Sequence, residues 1–226
     1  MSGTIDRAHP RAAAVLGELR RAARGDLMVF LRSVPAALLA PLRGMRTMDA
    51  VNPRLVEAYI PIAPEVGDLL YLTAMAIGAR RVVEFGTSFG ISTLYLGAAM
   101  RTTGGIAIGS EIEPRKIAAA RDNVERAGLT PWVDIRAGDA SETLADIEGP
   151  IDLLLLDGWK DLYLPILTLL KPKLRPGSVV MADNIHTFKR ALAPYVAYMR
   201  DPANGFESTT LPIGSGVEYS VLGHRT

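Results

Sequence analysis

Cysteine is absent from the 226-residue sequence. Its absence excludes disulfide bonds, thiolate metal sites, cysteine nucleophiles and iron–sulfur clusters. Histidine is scarce as well, and the three that occur, His9, His186 and His224, lie far apart in the sequence. A zinc site built from several histidines is therefore not expected. Any bound metal should be a hard cation that carboxylate and amide oxygens can hold.

An excess of charge of either sign is also missing. Lysine and arginine number 25 against 24 acidic residues, which gives a net charge of +1. With so small a net charge and no basic stripe, we expect no nucleic-acid partner and no attraction to an anionic membrane surface.

Long apolar runs are lacking too. The longest stretch without a charged residue runs from Phe85 to Met100 and contains three glycines. About 18–20 apolar residues are needed to span a bilayer, so no membrane span is expected. The amino terminus carries Asp6 and Arg11 before any apolar stretch, unlike a secretory signal, and a cytoplasmic location is the expectation.

The remaining composition is that of a globular protein. Apolar residues make up 49% and charged residues 22% of the chain, and the length suits one domain with a small appendage. Apolar positions at helical spacing in residues 10–46 predict two or three short helices, which could form a lid, a dimer contact or plain core packing. We therefore divide the chain into an N-terminal helical extension, residues 1–50, and a main domain, residues 51–226.

From residue 51 the pattern alternates between helices and short apolar strands. Such alternation predicts an α/β fold with a mostly parallel sheet and helices on both faces. Seven strands are predicted, the last two as an antiparallel hairpin that closes one edge: residues 81–85, 106–110, 132–136, 151–156, 178–182, 207–211 and 217–222. The predicted helices cover residues 64–76, 91–100, 114–127 and a stretch that ends at 170.

Nearly every predicted strand is followed by an acidic or amide residue. Open α/β sheets bind ligands beyond the carboxyl ends of their strands. A single residue of this kind usually caps the next helix, and for Asp139 or Asp183 alone that role is favoured. Taken together, however, the set indicates a ligand site: Glu84, Glu111, Asp139, Asp157, Asp183 and Asn184.

The first strand leads into a turn, E-F-G-T-S-F-G, that contains Gly86, Ser88 and Gly90. The glycines let a ligand approach the backbone, but the spacing is not G-x-G-x-x-G, which disfavours a pyrophosphate site. Glu111, about twenty residues beyond the turn, suits the ribose of either a nicotinamide cofactor or S-adenosylmethionine. The acid inside the strand, Glu84, repels phosphates and suits a cationic ligand, which favours S-adenosylmethionine.

Two later strands end in residues that suit a divalent cation. Asp157, Asp183 and the side-chain carbonyl of Asn184 would supply three oxygens, the ligand type that Mg²⁺ prefers. Lys160 lies three residues beyond Asp157, near enough for its amine to reach a hydroxyl group held there. Without these acids beside it, a solvated surface role would be favoured for Lys160.

Three motifs carry a family resemblance: L-D-G-W-K-D-L-Y-L-P at residues 156–165, A-D-N at 182–184 and V-E-Y at 217–219. Through them, residues 60–222 resemble the class I S-adenosylmethionine-dependent methyltransferases, and within these the metal-dependent catechol O-methyltransferase type. The resemblance implies a Rossmann-like class I methyltransferase fold. It also implies methyl transfer from S-adenosylmethionine to a hydroxyl group of a small, catechol-like acceptor.

The resemblance further implies roles for the residues that match. Asp157, Asp183 and Asn184 would bind Mg²⁺ or another divalent cation, and Asp157 and Asn184 would also contact the acceptor. Lys160 would be the general base, and Glu218 would hold the second hydroxyl of a vicinal diol. The implied cofactor-binding residues are Ile62, Glu84, Gly86, Ser88, Ser92, Glu111, Ile112, Asp139, Ala140, Asp157 and Trp159. The chain departs from the animal enzyme at Asp139 and Ala140 near the adenine, and at Gly158, where that enzyme has histidine.

Two other functions remain open at this point. A nicotinamide-dependent oxidoreductase would share the sheet and the ribose acid, but the chain lacks G-x-G-x-x-G and an obvious tyrosine and lysine pair for proton transfer. A non-catalytic module that binds S-adenosylmethionine would keep the fold without using the metal. The acceptor is not specified by any motif, and a homodimer formed through the N-terminal helices or the closing hairpin is expected.

Overall fold

A computed structural model describes residues 4–26 and 58–223 of the chain. Within these ranges one seven-stranded sheet forms the centre: β1 Arg81–Phe85, β2 Ile106–Glu111, β3 Val133–Ala137, β4 Ile151–Leu156, β5 Leu174–Ala182, β6 Phe206–Leu211 and β7 Val217–Leu222. The strand order is β3-β2-β1-β4-β5-β7-β6, and β7 alone runs antiparallel to its neighbours. The predicted Rossmann-like fold, with its antiparallel C-terminal hairpin, is confirmed.

Helices cover both faces of this sheet. They are α1 Pro10–Ala22, α2 Pro64–Ala76, α3 Ile91–Thr103, α4 Pro114–Arg126, α5 Ala140–Thr143, α6 Tyr163–Leu170 and α7 Lys189–Arg200. Helices α1 to α4 share one apolar core with one face of the sheet, and α5 to α7 share a second core with the other face. Because side chains alternate along a strand, Leu153 and Leu155 of β4 join the first core, and Leu154 and Leu156 join the second.

Strand β4 shows why an unbroken apolar run becomes a central strand. All six of its residues are buried, as expected where helices cover both faces of a parallel sheet. Each buried leucine contributes roughly 1.5–3 kcal/mol relative to an exposed one. The polar member, Asp152, accepts hydrogen bonds from the backbone amides of Arg80 and Arg81 and pairs with Arg175. The carboxylate is therefore stabilised inside the sheet by its partners.

The structure differs from the predicted elements at several boundaries. Helix α3 continues to Thr103 because the left-handed residue that ends it is Gly104, with φ +76°. Strand β5 begins at Leu174, four positions before the predicted start, and its pairing with β4 is irregular where it begins. Helix α7 was not predicted because Pro194, which lies inside it, argues against a helix. The four-residue helix α5 was not predicted either.

Residues 4–26 pack directly on the main domain. Ala12, Val15, Leu16 and Leu19 of α1 are buried in the same core as α2, α3 and α4. This confirms the first of the predicted N-terminal helices. The others, and the predicted boundary at residue 50, lie outside the described residues. No helix in the described ranges has the length and apolar character needed to cross a membrane.

His9, just before α1, is a buried titratable group with an incomplete set of hydrogen bonds. Its Nε2 lies 3.2 Å from Thr102 Oγ1, and its Nδ1 is buried without a partner among the described residues. Burial lowers the pKa of His9 below the ordinary value of 6.5, and the charge of Arg101 lowers it further. The folded protein therefore keeps His9 neutral at pH values where the unfolded chain already binds a proton.

We expect the stability that depends on neutral His9 to be complete above pH 6.5 and to be lost as the pH falls through the lowered pKa. His9→Phe keeps a ring beside Tyr71 and removes the titration. Urea unfolding followed by circular dichroism from about pH 8 down to about pH 5 should show a smaller loss of unfolding free energy in the variant than in the wild type. If the unfolding free energy fell by the same amount with pH in both proteins, the assignment of this pH dependence to His9 would be contradicted.

Candidate active site

The carboxyl ends of β1, β4 and β5 meet at one edge of the sheet. Phe85 pairs with Leu156, and Leu156 pairs with Ala182. Asp157 and Asp183 directly follow these paired residues. The Asp157 amide donates to the Phe85 carbonyl over 2.9 Å, and the Asp183 amide donates to the Leu156 carbonyl over 3.1 Å. Two acids that are far apart in the sequence are thus held on neighbouring strand ends.

Lys160 forms a buried charged group with these acids. Its Nζ lies 3.5 Å from Asp157 Oδ1 and 2.7 Å from the hydroxyl oxygen of Tyr163. The side chains of Lys160 and Asp157 are only 16% and 14% exposed, and Asp183 is buried. Lys160 therefore belongs to the interior of the site and is not a solvated surface group.

Burial shifts the pKa values of all three groups. It raises the pKa of Asp157 to about 7; Lys160 acts in the opposite direction, and Asp183 and Glu84 add to the rise. Burial also raises the pKa of Asp183, although the Asn184 amide and Lys160 oppose this. It lowers the pKa of Lys160 against the pull of the two carboxylates. The site thus places two negative charges and one positive charge where water stabilises none of them well.

This donor set fits a divalent cation. Two neighbouring buried carboxylates repel each other, and a cation bound to both would remove that repulsion. Asn184 adopts a left-handed φ of +69°, and its amide donates to Asp183 Oδ1 over 2.7 Å; its side-chain oxygen would be the third donor. In residues 4–26 and 58–223 no cluster of three or more acidic, histidine or cysteine side chains could hold a metal. The fit therefore depends on the asparagine amide.

A narrow cleft lies beside these groups. Residues 59–62 line one part of it, residues 86–89 and the start of α3 line another, and Asp157 also lines it. Five of the predicted cofactor-binding residues are in its wall: Ile62, Gly86, Ser88, Ser92 and Asp157. In this conformation the cleft has a volume of about 10 Å³, room for roughly one water molecule. The residues predicted to contact the ribose and the adenine, Glu111, Ile112 and Trp159, are not part of the lining of this cleft.

Gly86 and Gly158 let two strand ends approach each other closely. Gly86 has a φ of +97°, and a Cβ atom on it would lie 2.6 Å from the backbone of Gly158. A Cβ atom on Gly158 would in turn lie 2.5 Å from the ring of Phe85. The phenyl ring fills the space into which a histidine side chain at position 158 would have to extend. This is a physical reason for the departure from the animal enzyme.

Glu84, near the end of β1, is buried and only partly satisfied. Its Oε2 accepts hydrogen bonds from the hydroxyl groups of Thr87 and Thr93, whereas no donor within the described residues meets the buried Oε1 in good geometry. Burial raises the pKa of Glu84 against the effect of the hydroxyl groups around it. An ammonium group would satisfy the free oxygen and favour the charged carboxylate. The site therefore fits the amino group of S-adenosylmethionine.

Glu111 organises the turn on the other side of the cleft. Its Oε2 accepts from the Ser88 amide over 2.8 Å, and its Oε1 accepts from the amides of Ile112 and Glu113 over 2.9 and 3.0 Å. The first of these bonds holds Ser88 at a left-handed φ of +49°. Because a carboxylate has about four acceptor positions, Glu111 can still accept a bond from a ribose hydroxyl.

The remaining predicted cofactor-binding residues differ in how far their side chains are exposed to solvent. Ile112 and Trp159 are 59% and 40% exposed, which leaves apolar surface for a flat ring. Asp139 is exposed, and its carboxylate accepts bonds of 2.7 Å from both the amide and the hydroxyl of Ser141. It therefore caps α5, the role that the sequence favoured for it alone. Ala140 is buried.

Glu218 is not available in the way that the resemblance implies. The residue is fully buried in β7, and Arg200 donates to its two carboxylate oxygens over 2.8 and 3.0 Å. Ser208 donates to it over 2.7 Å, and Thr210 donates as well. These bonds outweigh the effect of burial and lower the pKa of Glu218. An acceptor hydroxyl could reach this carboxylate only if the ion pair with Arg200 opened.

Sequence reasoning missed the residues that hold the outer wall of the cleft. Asp26 accepts hydrogen bonds from the amides of Tyr59 and Ile60 over 3.0 and 2.8 Å. Ile60 has a φ of +43°, which is rare for a β-branched residue. The Tyr59 ring stacks on Phe89, with 4.2 Å between the ring centroids. No local pattern marks these contacts, because 33 residues separate Asp26 from Tyr59.

Comparison with known proteins shows similarity to methyltransferases in sequence and in fold. A family model described as a methyltransferase domain matches residues 83–185. A catechol O-methyltransferase from Niastella koreensis is 34% identical over 143 residues, which cover 60% of this chain and 64% of that protein. A catechol O-methyltransferase from Mycobacterium tuberculosis is 34% identical over 127 residues, covering 56% and 57%. The crystal structure of cofactor-bound Rv0187 from MTB has a TM-score of 0.69 at 27% identity and covers 86% of this chain and 91% of that one.

Over the central part of its sheet, the chain is similar to S-adenosylmethionine-dependent O-methyltransferases. It spans less than two thirds of the length of either catechol O-methyltransferase. The matched domain includes the strand-end residues of the site, Glu84, Glu111, Asp157, Lys160, Asp183 and Asn184, whereas Glu218 lies beyond it. The family model therefore covers all of these residues at the sheet edge.

The contacts of Glu218 predict an asymmetric response to mutation. Arg200→Met leaves a buried carboxylate with only the hydroxyl donors of Ser208 and Thr210; because Arg200 itself is about half exposed, the unfolding free energy should fall by about 1–2 kcal/mol. Glu218→Gln in the same chain should recover much of that loss, because no buried charge is then left unpaired. Urea unfolding of the single and double variants measures this. Additive effects would contradict the prediction. In that case Glu218→Gln would lower the unfolding free energy by the same amount in the Arg200→Met background as in the wild type, and the two side chains would not be coupled.

Proposed function

We propose that this protein transfers a methyl group from S-adenosylmethionine to a hydroxyl group of a small, catechol-like acceptor. The observation that carries the proposal is the position of Lys160, 3.5 Å from Asp157, which lines the cleft and shares the sheet edge with Asp183. The reaction needs a base and an oxygen-rich site next to a bound methyl donor. These residues supply both beside one cleft.

The reaction forms a bond between the acceptor oxygen and the methyl carbon. It breaks the bond between that carbon and the sulfonium sulfur, which keeps the electron pair, so that S-adenosylhomocysteine leaves. The hydroxyl proton must also be removed, and the neutral amine of Lys160 is the group that would accept it; burial favours this form because it lowers the pKa of Lys160. Because the protein forms no covalent bond itself, alignment of the two substrates matters most; such alignment can lower the barrier by roughly 7–11 kcal/mol.

We further propose that Asp157, Asp183 and Asn184 hold Mg²⁺ or another divalent cation. When bound, the cation would act as a Lewis acid on the acceptor oxygens and make the hydroxyl more acidic. Asp157 and Asn184 would then lie close enough to the acceptor to contact it. The repulsion between the two buried carboxylates, described above, supports this assignment.

Residues on the other side of the cleft would bind the methyl donor. The free oxygen of Glu84 would accept from its amino group, and Glu111 would accept from its ribose. Ile112 and Trp159 would contact the adenine through their exposed apolar surfaces. Residues 59–62 form the part of the cleft wall outside the central sheet. The homodimer and the cytoplasmic location stay predictions from the sequence.

The first test replaces the proposed base. Lys160→Met keeps most of the apolar side chain and removes the amine, and it should lower kcat for a catechol acceptor by roughly 100-fold or more while S-adenosylmethionine still binds in calorimetry. Lys171→Met is the matched control, because Lys171 also donates to a tyrosine hydroxyl, that of Tyr198, over 2.9 Å. Equal turnover in Lys160→Met and the wild type would remove Lys160 from the chemistry. A wild type that binds S-adenosylmethionine but methylates no acceptor would indicate a binding module.

The second test concerns the metal. Treatment with a chelator should abolish turnover, and added Mg²⁺ should restore it. Mg²⁺ should also raise the melting temperature of the wild type, because a ligand that binds only the folded state stabilises it, and it should not raise that of Asp183→Asn. Turnover that is unchanged by the chelator, together with no Mg²⁺-dependent shift in melting temperature, would contradict the metal assignment.

A further inference from the structure

Tyr163 is a buried residue that lies within the motif at residues 156–165 but has no role in the proposed chemistry. It is the first residue of α6 and is fully buried. Its hydroxyl oxygen accepts a hydrogen bond from Lys160 Nζ over 2.7 Å, and its hydroxyl hydrogen is donated to the backbone carbonyl of Asp183 over 3.2 Å. One phenol group therefore connects the lysine after β4 to the aspartate after β5.

The direction of these two bonds fixes what the phenol offers to the lysine. A phenol has a single hydrogen to donate, and in Tyr163 it points to the Asp183 carbonyl. The oxygen lone pairs are then free to accept from Lys160. At 2.7 Å this is a bond of normal length, whereas the 3.5 Å between Lys160 and Asp157 is too long for a strong one. Among the contacts of Lys160 Nζ, the bond to Tyr163 is thus the one that sets its position.

Tyr163 is itself held rigidly. The Phe85 ring meets it edge to face with 6.4 Å between the centroids, and the Tyr195 ring does the same at 5.8 Å. Phe188 contacts Lys160 from another direction, with Nζ 5.6 Å from the ring centroid. A lysine side chain is otherwise a long flexible chain. Here its end is confined by a fixed acceptor and an aromatic face, while 16% of the side chain remains exposed.

We propose that Tyr163 is a positioning residue for Lys160: its hydroxyl, oriented by the Asp183 carbonyl, holds Nζ beside Asp157 at the cleft. The bond to Tyr163 also leaves the other positions on the nitrogen free to face the acceptor. The consequence for turnover rests on the proposed methyl transfer. The placement of Lys160 does not rest on it and can be tested separately.

Tyr163→Phe removes one oxygen atom and keeps the ring. We expect kcat to fall about tenfold, which corresponds to about 1.4 kcal/mol, while the KM for the acceptor and the Kd for S-adenosylmethionine change little. Tyr195→Phe is the matched control: that ring is also buried and packs on Tyr163, but its hydroxyl has no hydrogen-bond partner in the part of the chain that the structure describes. It should turn over like the wild type. Equal kcat values for Tyr163→Phe and Tyr195→Phe would overturn the proposal.

A double-mutant cycle separates positioning from general structural damage. If Tyr163 acts through Lys160, adding Tyr163→Phe to Lys160→Met should not lower the residual turnover further. A further tenfold loss in that background would show a structural role and overturn the proposal.

A crystal structure of Tyr163→Phe provides a readout without turnover. Displaced or disordered Lys160 Nζ supports the proposal even if the wild type methylates no acceptor, in which case it is the proposed function that fails. An unmoved Nζ overturns it.

Discussion

The site depends on two carboxylates that the fold buries next to each other. Asp157 and Asp183 follow residues that pair in register on β4 and β5, so the parallel sheet itself sets their separation. The repulsion between them is offset by Lys160, by the amide of Asn184 and, we propose, by a divalent cation. Their environment, in turn, is dry because the apolar cores on both faces of the sheet extend to the strand ends. The packing that stabilises the sheet therefore also buries these charged groups and shifts their pKa values.

Much of this could be predicted because the signals are local. A buried parallel strand is marked by an apolar run, and polar residues at or just beyond its carboxyl end lie at the ligand-binding edge. This signal identified Glu84 and Glu111 at the ends of β1 and β2, and Asp157 and Asp183 just after β4 and β5. Proline and glycine marked the helix ends in the sequence, whereas no local signal marked the irregular elements. Helix α7 was hidden by Pro194, whose ring is unfavourable inside a helix, so tertiary packing had to override the local preference.

The contacts that could not be predicted join residues that are distant in the sequence. The Arg200–Glu218 pair closes only when α7 packs on β6, the strand that pairs with β7, and the family motif around Glu218 contains no mark of it. The same is true of Tyr163, which stands in the sharpest motif of the chain although its hydrogen bond to Asp183 spans 20 residues. A motif shows which residue types occur together, whereas the role of each depends on which lone pair or hydrogen is still free in the fold.

The wall of the cleft links the N-terminal segment to the residues that would bind the methyl donor. Its outer wall, residues 59–62, is held by Asp26 at the end of the first described range and by the stack of Tyr59 on Phe89. Phe89 belongs to the glycine turn that Glu111 organises, so both sides of the wall are fixed to elements that would contact the methyl donor. Ile60, with its unusual positive φ, lies in this wall between the two contacts. The hydrogen bonds from Asp26 therefore hold a strained backbone segment against the glycine turn, and strain of this kind persists only where the surrounding contacts fix it.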